Sequence, residues 1–414
     1  MNNVLLTTLS SGLRCAIYTT TSPVSYCALS TLGGTRFEPQ GFAGLAHFCE
    51  HMLFKGTEKR SAYHINNRLE RLGGEINAFT TKEELVLHTT VLREDLGKAL
   101  ELVSDLVLNS VFSEEGIIKE REVVLEEIRS YKDAPSELIY DVFEEKLFSG
   151  TPMATPILGY PRELKKITSA RMKAFMGEHF VPGNMALSLV GNTSAARMVT
   201  LAEKYFGSSR FAAQAETDDV PSAIPSLTEP SFLFEETQRR GTYQTHCLTG
   251  STAYGLHHKN RVPLVLLMNI MGGPASNARL NMLLREKYGL VYTVEASYLP
   301  YIDTGFAGIY FGTDAPNLAR CRELTEKVIG QYSHTLMTDL QLDRAKKQLI
   351  GQISIAEDNH EAQCLSMGKS LLSFGKVFSH NELVAQIESV TPLQILEAAN
   401  EIWDEKRRCT LIYH

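Results

Sequence analysis

One stretch of this sequence, GFAGLAHFCEHMLFKGT at 41–57, constrains the fold most, because it carries His47, Glu50 and His51 in the order H-x-x-E-H. If the stretch is helical, His47 and His51 lie four positions apart, and both imidazoles project from one face. Glu50 lies beside that face. Two converging imidazoles can bind one tetrahedral metal ion, and a neighbouring carboxylate can accept a proton from water, as zinc-dependent hydrolysis requires. The stretch therefore predicts a helix at a metal centre whose third ligand comes from elsewhere in the chain.

The third ligand is expected on an acidic helical segment at 113–131, SEEGIIKEREVVLEEIRSY. Glu120 and Glu127 are separated by two helical turns and are predicted to share a face with Val123 and Val124. The other charged residues are interpreted as a solvated cluster on a different face: Glu122, Glu126 and Arg129. Spacing alone does not decide which of Glu120 and Glu127 binds the metal and which supports the ligands.

The length and composition indicate a soluble globular protein of two domains. The chain has 414 residues, of which 43% are hydrophobic and 21% charged, and it exceeds the roughly 250–300 residues at which a single core stops growing. β-rich runs precede helical patterns in both halves. This order favours an α+β fold of two similar domains, each an antiparallel or mixed β-sheet packed with several α-helices. The segment 208–230 lacks periodicity and is interpreted as a linker between an N-terminal catalytic domain at 1–207 and a C-terminal domain at 231–414.

Periodicity also predicts the individual elements of the second half. Strands are expected at 231–237, 241–250, 290–298, 305–313 and 409–413. Helices are expected at 261–271, 276–287, 315–336, 339–356 and 359–374.

Charge and cysteine usage restrict the partners and the compartment. The net charge of −7, without a dense run of Lys or Arg, argues against nucleic acid as a partner. The seven cysteines form no C-x-x-C pair, which is typical of reduced thiols without a disulfide framework. The sequence has no apolar window long enough for a transmembrane helix, and MNNVLLTTLSSGLR lacks the features of a signal peptide. We therefore expect a cytoplasmic protein that does not associate with membranes.

Four separated motifs occur in the order seen in the pitrilysin/insulinase family, the inverzincin zinc metallopeptidases: HFCEHMLFKGT, GGEINAFTT, KEREVVLEEI and REKYGLVY. The chain resembles the short, bacterial, mitochondrial-processing-peptidase-like members of that family. The resemblance implies that His47, His51 and Glu127 bind Zn²⁺, one ion per chain, because Glu127 has the spacing of the family's third ligand. It also implies that Glu50 is the general base and that Glu120 supports the ligands from behind.

The resemblance extends to residues that contact the substrate. In the family, the strand matching EINAFTT pairs with the main chain of the peptide. The expected substrate-binding residues on this strand are Asn77, Ala78, Phe79 and Thr80. Arg285 and Tyr292 match the family's Arg–Tyr pair and are expected to be catalytic residues that stabilise the oxyanion of the transition state.

The function that the resemblance implies is that of a zinc-dependent endopeptidase, which hydrolyses short or unfolded peptides inside a chamber. Glu50 activates the attacking water in this scheme. In two-chain members the Arg–Tyr pair belongs to the partner chain, so we expect a homodimer with shared active sites. The alternative is a non-catalytic structural or partner subunit of a heteromeric peptidase, since the family also contains such subunits. Here the zinc set and the Arg–Tyr pair are both complete, which favours the peptidase.

Overall fold

The computed structural model describes residues 4–208 and 233–414, which form two compact units. The sheet of the first unit is built from β1 (Val4–Thr8), β2 (Arg14–Thr19), β3 (Val24–Leu32), β4 (Glu75–Thr80), β5 (Glu84–Leu92) and β6 (Met185–Gly191). The strand order is β1-β2-β6-β3-β5-β4. Only the β2–β6 pair among these is parallel. β4 is therefore an edge strand of a mixed sheet.

The helices of this half of the chain are interleaved with its strands. The α-helices are α1 (Leu45–Leu53), α2 (Ala62–Glu70), α3 (Leu96–Asn109), α4 (Glu114–Lys132), α5 (Pro135–Leu147), α6 (Pro161–Leu164), α7 (Ser169–His179) and α8 (Ala195–Phe206). Short 3-10 turns occur at Thr35–Phe37, Arg93–Asp95, Pro152–Ala154 and Pro182–Asn184.

The second unit has its own mixed sheet. The strands are β7 (Glu235–Gln238), β8 (Thr245–Ala253), β9 (Val291–Pro300), β10 (Gly305–Thr313) and β11 (Cys409–Tyr413), in the order β7-β11-β8-β10-β9. The α-helices of this part of the chain are α9 (Arg261–Gly272), α10 (Leu318–His334), α11 (Asp339–Ala356), α12 (His360–Phe374), α13 (His380–Glu388) and α14 (Pro392–Ile402). A π-helix spans Asn281–Lys287, and a 3-10 turn spans Ala315–Asn317.

The two sheets share one topology. If β1 is set aside, the order β2-β6-β3-β5-β4 corresponds strand for strand to β7-β11-β8-β10-β9. In both sheets the first of these pairs is parallel and the others are antiparallel. The predicted α+β fold with a duplicated half is therefore confirmed, and β9 is the counterpart of the edge strand β4.

The compact units differ from the contiguous halves that the sequence predicted, 1–207 and 231–414. The second unit includes Ser130–Ala154, and the first includes Ile355–Ser379. Hydrophobic periodicity shows that a helix has an apolar face, but it does not show which sheet that face covers. The predicted linker at 208–230 lies outside the described residues, apart from Ser208.

Packing of α12 explains why Ile355–Ser379 belongs to the first unit. Cys364 and Leu371 of α12 are buried, and the Cys364 thiol contacts the backbone oxygen of Ser188 on β6 at 3.4 Å. A Cβ atom on Gly368 would lie 2.7 Å from the hydroxyl of Ser30 on β3. The absence of a side chain at Gly368 therefore allows the helix to approach the sheet of the first unit closely.

Several elements of the second half differ from the sequence prediction. The strands expected at 231–237 and 241–250 begin later, at Glu235 and Thr245, and residues 231–232 lie outside the described residues. The helix expected at 276–287 is π-helical over Asn281–Lys287. Helices α13 and α14 were not predicted. A signal for α14 existed, because Thr391 and Gln394 form a capping box at its start.

All seven cysteines are buried and none forms a disulfide, as the sequence predicted. Along the described part of the chain, no helix combines the length and the hydropathy needed to cross a bilayer.

A buried ionic cluster joins the turn after α1 to α3. Asp105 of α3 is 4% exposed and accepts hydrogen bonds from the Thr57 hydroxyl (2.9 Å), the Asn109 amide (2.7 Å) and the Arg60 guanidinium. Burial raises the pKa of Asp105, but these donors outweigh it and hold the pKa below its ordinary value. The ionised carboxylate is therefore the form that stabilises the fold.

We expect Asp105→Asn to lower the free energy of unfolding by about 2 kcal/mol near neutral pH, because hydrogen bonds to a buried charge are lost. The pKa of Asp105 is lowered in the folded state, so this contribution is complete above the unfolded pKa of about 3.9 and disappears as the pH falls towards the folded value. Urea unfolding at neutral and acid pH measures the difference. The control is Glu115→Gln, which removes an exposed pair with Lys119 and should change stability little. Equal losses of unfolding free energy in the two variants would contradict a stabilising role of the ionised Asp105.

Candidate metal centre

Helix α1 is fixed at its start by a buried turn. Gly44 precedes the helix with φ of 88°, a left-handed conformation that favours glycine. The Glu38 carboxylate accepts hydrogen bonds from the backbone N–H groups of Gly44 (3.0 Å) and Ala46 (2.8 Å). These bonds satisfy two backbone N–H groups at the start of the helix, although burial raises the pKa of Glu38 to about 8. The position of the following His47 is therefore fixed by backbone contacts as well as by packing.

Three side chains converge at this helix. Glu127 Oε2 of α4 lies 3.6 Å from His47 Nε2 and 3.5 Å from His51 Nε2. One ligand atom from each of the three residues lies within 4.8 Å of the other two. Within the described residues, no other His, Cys, Asp and Glu set of this size converges in the same way. The structure thus brings together the three residues that the family resemblance assigned to the metal.

The donor set and its spacing fit zinc. Ligand atoms placed tetrahedrally about 2.0–2.2 Å from Zn²⁺ lie roughly 3.3–3.6 Å apart, and the two nitrogen–oxygen distances fall in that range. Two nitrogens and one carboxylate oxygen are also the ligands of known catalytic zinc sites, which keep a fourth position open. The side chain of Glu127 is 43% exposed, whereas that of His47 is 8% exposed. The site is therefore closed on the α1 side and open beside Glu127.

Glu120 supports His51 from behind. Its Oε1 lies 2.9 Å from His51 Nδ1, and its Oε2 pairs with Lys55 Nζ at 2.7 Å. If His51 Nδ1 carries the proton and donates it to Glu120, the lone pair of Nε2 faces Glu127 and is available for a metal. Burial raises the pKa of Glu120, but the bonds from His51 and Lys55 lower it below its ordinary value. Glu120 is thus an ionised acceptor that orients the imidazole.

In the absence of a metal, the pKa values of the two histidines are shifted in opposite directions. Burial, reinforced by the neighbouring His51, lowers the pKa of His47 to about 3. Burial also lowers the pKa of His51, but the hydrogen bond to Glu120 and the charges of Glu127 and Glu50 outweigh it and raise the pKa overall. Neutral His47 is ready to bind a metal at physiological pH. The raised pKa of His51 means that protons compete with a metal for its ring.

Glu50 lies beside this set. Its Oε2 accepts a hydrogen bond of 2.5 Å from the hydroxyl of Thr80. Burial raises the pKa of Glu50, and the charge of Glu127 adds to that effect. A carboxylate of raised pKa is a stronger base than one in water, so the environment of Glu50 suits proton transfer.

The predicted faces of α4 require one correction. Glu120 and Val124 are buried, but Val123, which was predicted to lie on the same inner face, is 50% exposed. Position 123 lies one turn before Glu127, at the border of the buried stripe, where the site is open. The predicted solvated cluster is present, since Arg129 pairs with Glu126 at 2.7 Å on the exposed side.

Strand β4 carries the predicted substrate-binding residues. Among the described strands it pairs with β5 alone, so its other edge is free. Asn77 and Phe79 are exposed, whereas Ala78 and Thr80 are half-buried on the opposite face. Asn77 Oδ1 accepts a hydrogen bond from the N–H of Ala78 at 2.9 Å. The four residues are therefore divided between two faces of one edge strand.

Arg285 and Tyr292 belong to the second unit, where they line one cavity of about 480 Å³. Arg285 lies on the π-helix and Tyr292 on the edge strand β9. Their side chains are open to solvent, with Tyr292 76% exposed and Arg285 57% exposed. Both can therefore reach a bound molecule, as donors of hydrogen bonds to developing negative charge must.

Comparison with known proteins identifies the family. The sequence model of the insulinase family, peptidase family M16, matches residues 14–160, and the model described as the peptidase M16 inactive domain matches residues 166–349. The chain belongs to peptidase family M16. A Bacillus subtilis protein named an uncharacterized zinc protease is 30% identical to this M16 chain over 380 residues, covering 92% of the chain and 90% of that protein. A Rickettsia bellii protein with the same description is 31% identical over 379 residues, with coverages of 92% and 90%.

Solved structures agree on the fold of the M16 chain. A protease from Helicobacter pylori superposes with a TM-score of 0.88 at 21% identity, covering 99% of both chains. A peptidase M16 inactive domain from Pseudomonas fluorescens gives a TM-score of 0.87 at 21% identity, covering 99% of this chain and 97% of the other. At this identity the likeness supports the fold alone.

Sequence reasoning missed three features around the M16 site. Lys55, to which the sequence assigned no role, pairs with Glu120. Glu38 caps α1, and no local motif marks it. The bond from Thr80 to Glu50 was also missed. A signal for it existed, because alternation along EINAFT places Thr80 on the same face as Ile76 and Ala78.

Proposed function

We propose that this M16 chain is a zinc-dependent endopeptidase that hydrolyses short or unfolded peptides, with one zinc ion per chain. The observation that carries the proposal is the convergence of His47, His51 and Glu127 beside the Glu50 carboxyl. The zinc proteases named among its relatives support the metal and the reaction class at the level of the family.

The residues of the chain have separate tasks in the proposed reaction. His47 and His51 would hold the zinc ion through Nε2, and Glu127 through a carboxylate oxygen. Bound zinc would supply a Lewis acid that polarises the scissile carbonyl and lowers the pKa of water. Glu50 accepts a proton from the attacking water and returns it to the leaving amine. Glu120 keeps the His51 ring in the orientation that leaves Nε2 free.

The free edge of β4 supports binding of extended peptides. A peptide that adds as a further strand is recognised mainly through its backbone, with little demand on its side chains. A short or unfolded peptide can adopt this extended form without breaking a fold of its own, so the proposed substrates are short or unfolded. The chamber that would enclose them is proposed on the family resemblance. The cytoplasmic location and the lack of a nucleic-acid or membrane partner are proposed on the net charge, the cysteine usage and the hydropathy of the sequence.

The exposure of Arg285 and Tyr292 supports a role as oxyanion donors. We propose a homodimer in which this pair acts on the site of the partner subunit, following the two-chain members of the family. The alternative, a non-catalytic partner subunit, is less well supported because the zinc ligands, the base and the Arg–Tyr pair are all present in this chain.

Mixing two inactive variants tests the shared site. We expect Glu50→Gln and Tyr292→Phe each to lower kcat/KM by roughly 100-fold or more, since each removes a proton acceptor or an oxyanion donor. Co-expressed chains should recover about a quarter of the wild-type sites, because a mixed dimer contains one site without either change. The measurement is cleavage of a quenched peptide, with Tyr243→Phe, another exposed tyrosine, as the control. Absence of recovery in a verified mixed dimer would contradict sharing.

The proposed reaction itself is tested by cleavage of a quenched, unstructured peptide and of a stable folded protein by the zinc-loaded wild type. The peptide should be cleaved and the folded protein should remain intact. Failure to cleave any member of a peptide library, with zinc bound and the dimer intact, would contradict the proposed function.

A further inference from the structure

The side chain of Thr80 projects from the half-buried face of β4, whereas the peptide is expected to bind along the free backbone edge of that strand. Residues of β4 alternate between exposed and half-buried, and Thr80 shares the inner face with Ile76 and Ala78, both of which pack against the core. From that face the Thr80 hydroxyl donates its single proton to Glu50 Oε2 at 2.5 Å. Thr80 therefore contacts the proposed base through its side chain, while its backbone belongs to the substrate strand.

The turn that follows Thr80 holds it firmly. Thr81 N–H donates to the carbonyl of Glu84 at 2.7 Å, which closes the turn between β4 and β5. The Thr81 hydroxyl accepts from the N–H of Glu84 at 2.9 Å. Glu83 forms a buried ion pair with Arg36, and Lys82 donates to the carbonyl of Thr155 at 2.6 Å. Each residue of the turn therefore forms a hydrogen bond or an ion pair.

The segment carrying Arg36 is packed directly against this turn. The N–H of Arg36 donates to the Lys82 carbonyl at 2.8 Å, and that of Gly34 donates to the Glu83 carbonyl at 3.1 Å. A Cβ atom at Gly34 would lie 2.5 Å from backbone atoms of the turn. Only glycine allows this approach, so the end of β4 is fixed by backbone contacts and does not depend on Glu50.

We propose that Thr80 is a positioning residue that orients the Glu50 carboxylate for proton transfer and ties that orientation to the strand on which the peptide pairs. This inference rests on the proposed function. With Oε2 held by Thr80, Oε1 is the oxygen left for the attacking water. A peptide added to β4 is placed relative to the base by the same residue, because backbone and side chain of Thr80 move together.

Two substitutions separate the hydroxyl from the shape of the side chain. Thr80→Val keeps the branched shape and removes the donor, and Thr80→Ser keeps the donor and removes a methyl group. We expect Thr80→Val to lower kcat by about 10- to 100-fold, the loss typical of a misplaced catalytic group, with KM changed less than about twofold. Thr80→Ser should stay within a fewfold of wild type. Zinc affinity, measured by chelator competition, should be unchanged in both.

Thr90→Val is the matched control, since Thr90 lies on the neighbouring strand β5 and its hydroxyl is buried without a partner among the described residues. A rise in KM at constant kcat for Thr80→Val would make Thr80 a substrate-binding side chain and overturn the proposal. Equal losses for the Val and Ser variants would assign the effect to packing and overturn it as well.

A crystal structure of the Thr80→Val protein gives a readout that does not require activity. The Glu50 carboxylate should rotate away from its wild-type orientation, while the backbone of β4 stays in place. An unchanged carboxylate would overturn the proposal. If the wild type cleaved no peptide, the proposed function would fail, and this structural comparison would still decide whether Thr80 positions Glu50.

Discussion

Replacing Glu50 by glutamine should leave zinc bound and lower kcat for peptide cleavage by roughly 10²- to 10⁴-fold, the range that general acid–base catalysis contributes. The amide has the same shape as the carboxylate but cannot accept a proton from water. This loss corresponds to about 3–5 kcal/mol of transition-state stabilisation. Because Glu50 is not among the converging ligand atoms, zinc affinity should change little.

Zinc content and kcat have to be measured on the same preparation of the Glu50→Gln protein. Glu126→Gln is the control, because Glu126 lies on the solvated face of α4 and pairs only at the surface with Arg129. It should retain wild-type kcat. A Glu50→Gln protein that holds zinc and cleaves at the wild-type rate would rule out Glu50 as the base.

Glutamine at position 127 should weaken zinc binding more than glutamine at position 120. Glu127 Oε2 lies close to both histidine Nε2 atoms, so Glu127→Gln replaces a charged ligand by a neutral one. Glu120 contacts His51 at Nδ1, the ring nitrogen away from Glu127, and loss of such a supporting partner typically costs about 10- to 100-fold in metal affinity. The loss for Glu127→Gln should exceed that range.

Competition with a chromophoric chelator measures both affinities at one pH. The pH must be held constant because protons compete with the metal for His51, so the apparent affinity falls as the pH is lowered. Glu122→Gln, on the same helix and outside the ligand set, is the control. The reverse ranking, with Glu120→Gln the weaker binder, would exchange the roles of the two acids.

The local part of the site could be predicted from the sequence because the spacing within one helix is fixed. His47 and His51 are four positions apart, and this relation alone places both rings on one face. The choice between Glu120 and Glu127 could not be made in the same way. Both acids point towards α1. Only the three-dimensional arrangement shows that Glu127 lies next to Nε2 of His51 and Glu120 next to Nδ1 of the same ring.

Contacts between distant segments were beyond sequence reasoning for a different reason. The Arg36–Glu83 pair and the Lys55–Glu120 pair depend on how strands and helices pack, and each side chain alone is typical of a solvated surface. The same limit applies to α12, whose apolar face was predictable while the sheet that it covers was not. Duplication of the fold was predictable because strands precede helices in both halves, and the matching strand orders confirm it.

We propose that zinc held by His47, His51 and Glu127 is required for peptide hydrolysis by this chain. The most direct test removes metal with a chelator and then restores zinc stepwise while cleavage of a quenched peptide is followed. Cleavage should be lost with the metal and should return in proportion to zinc, reaching its maximum at one ion per chain. Full cleavage by the metal-free protein would contradict the proposal.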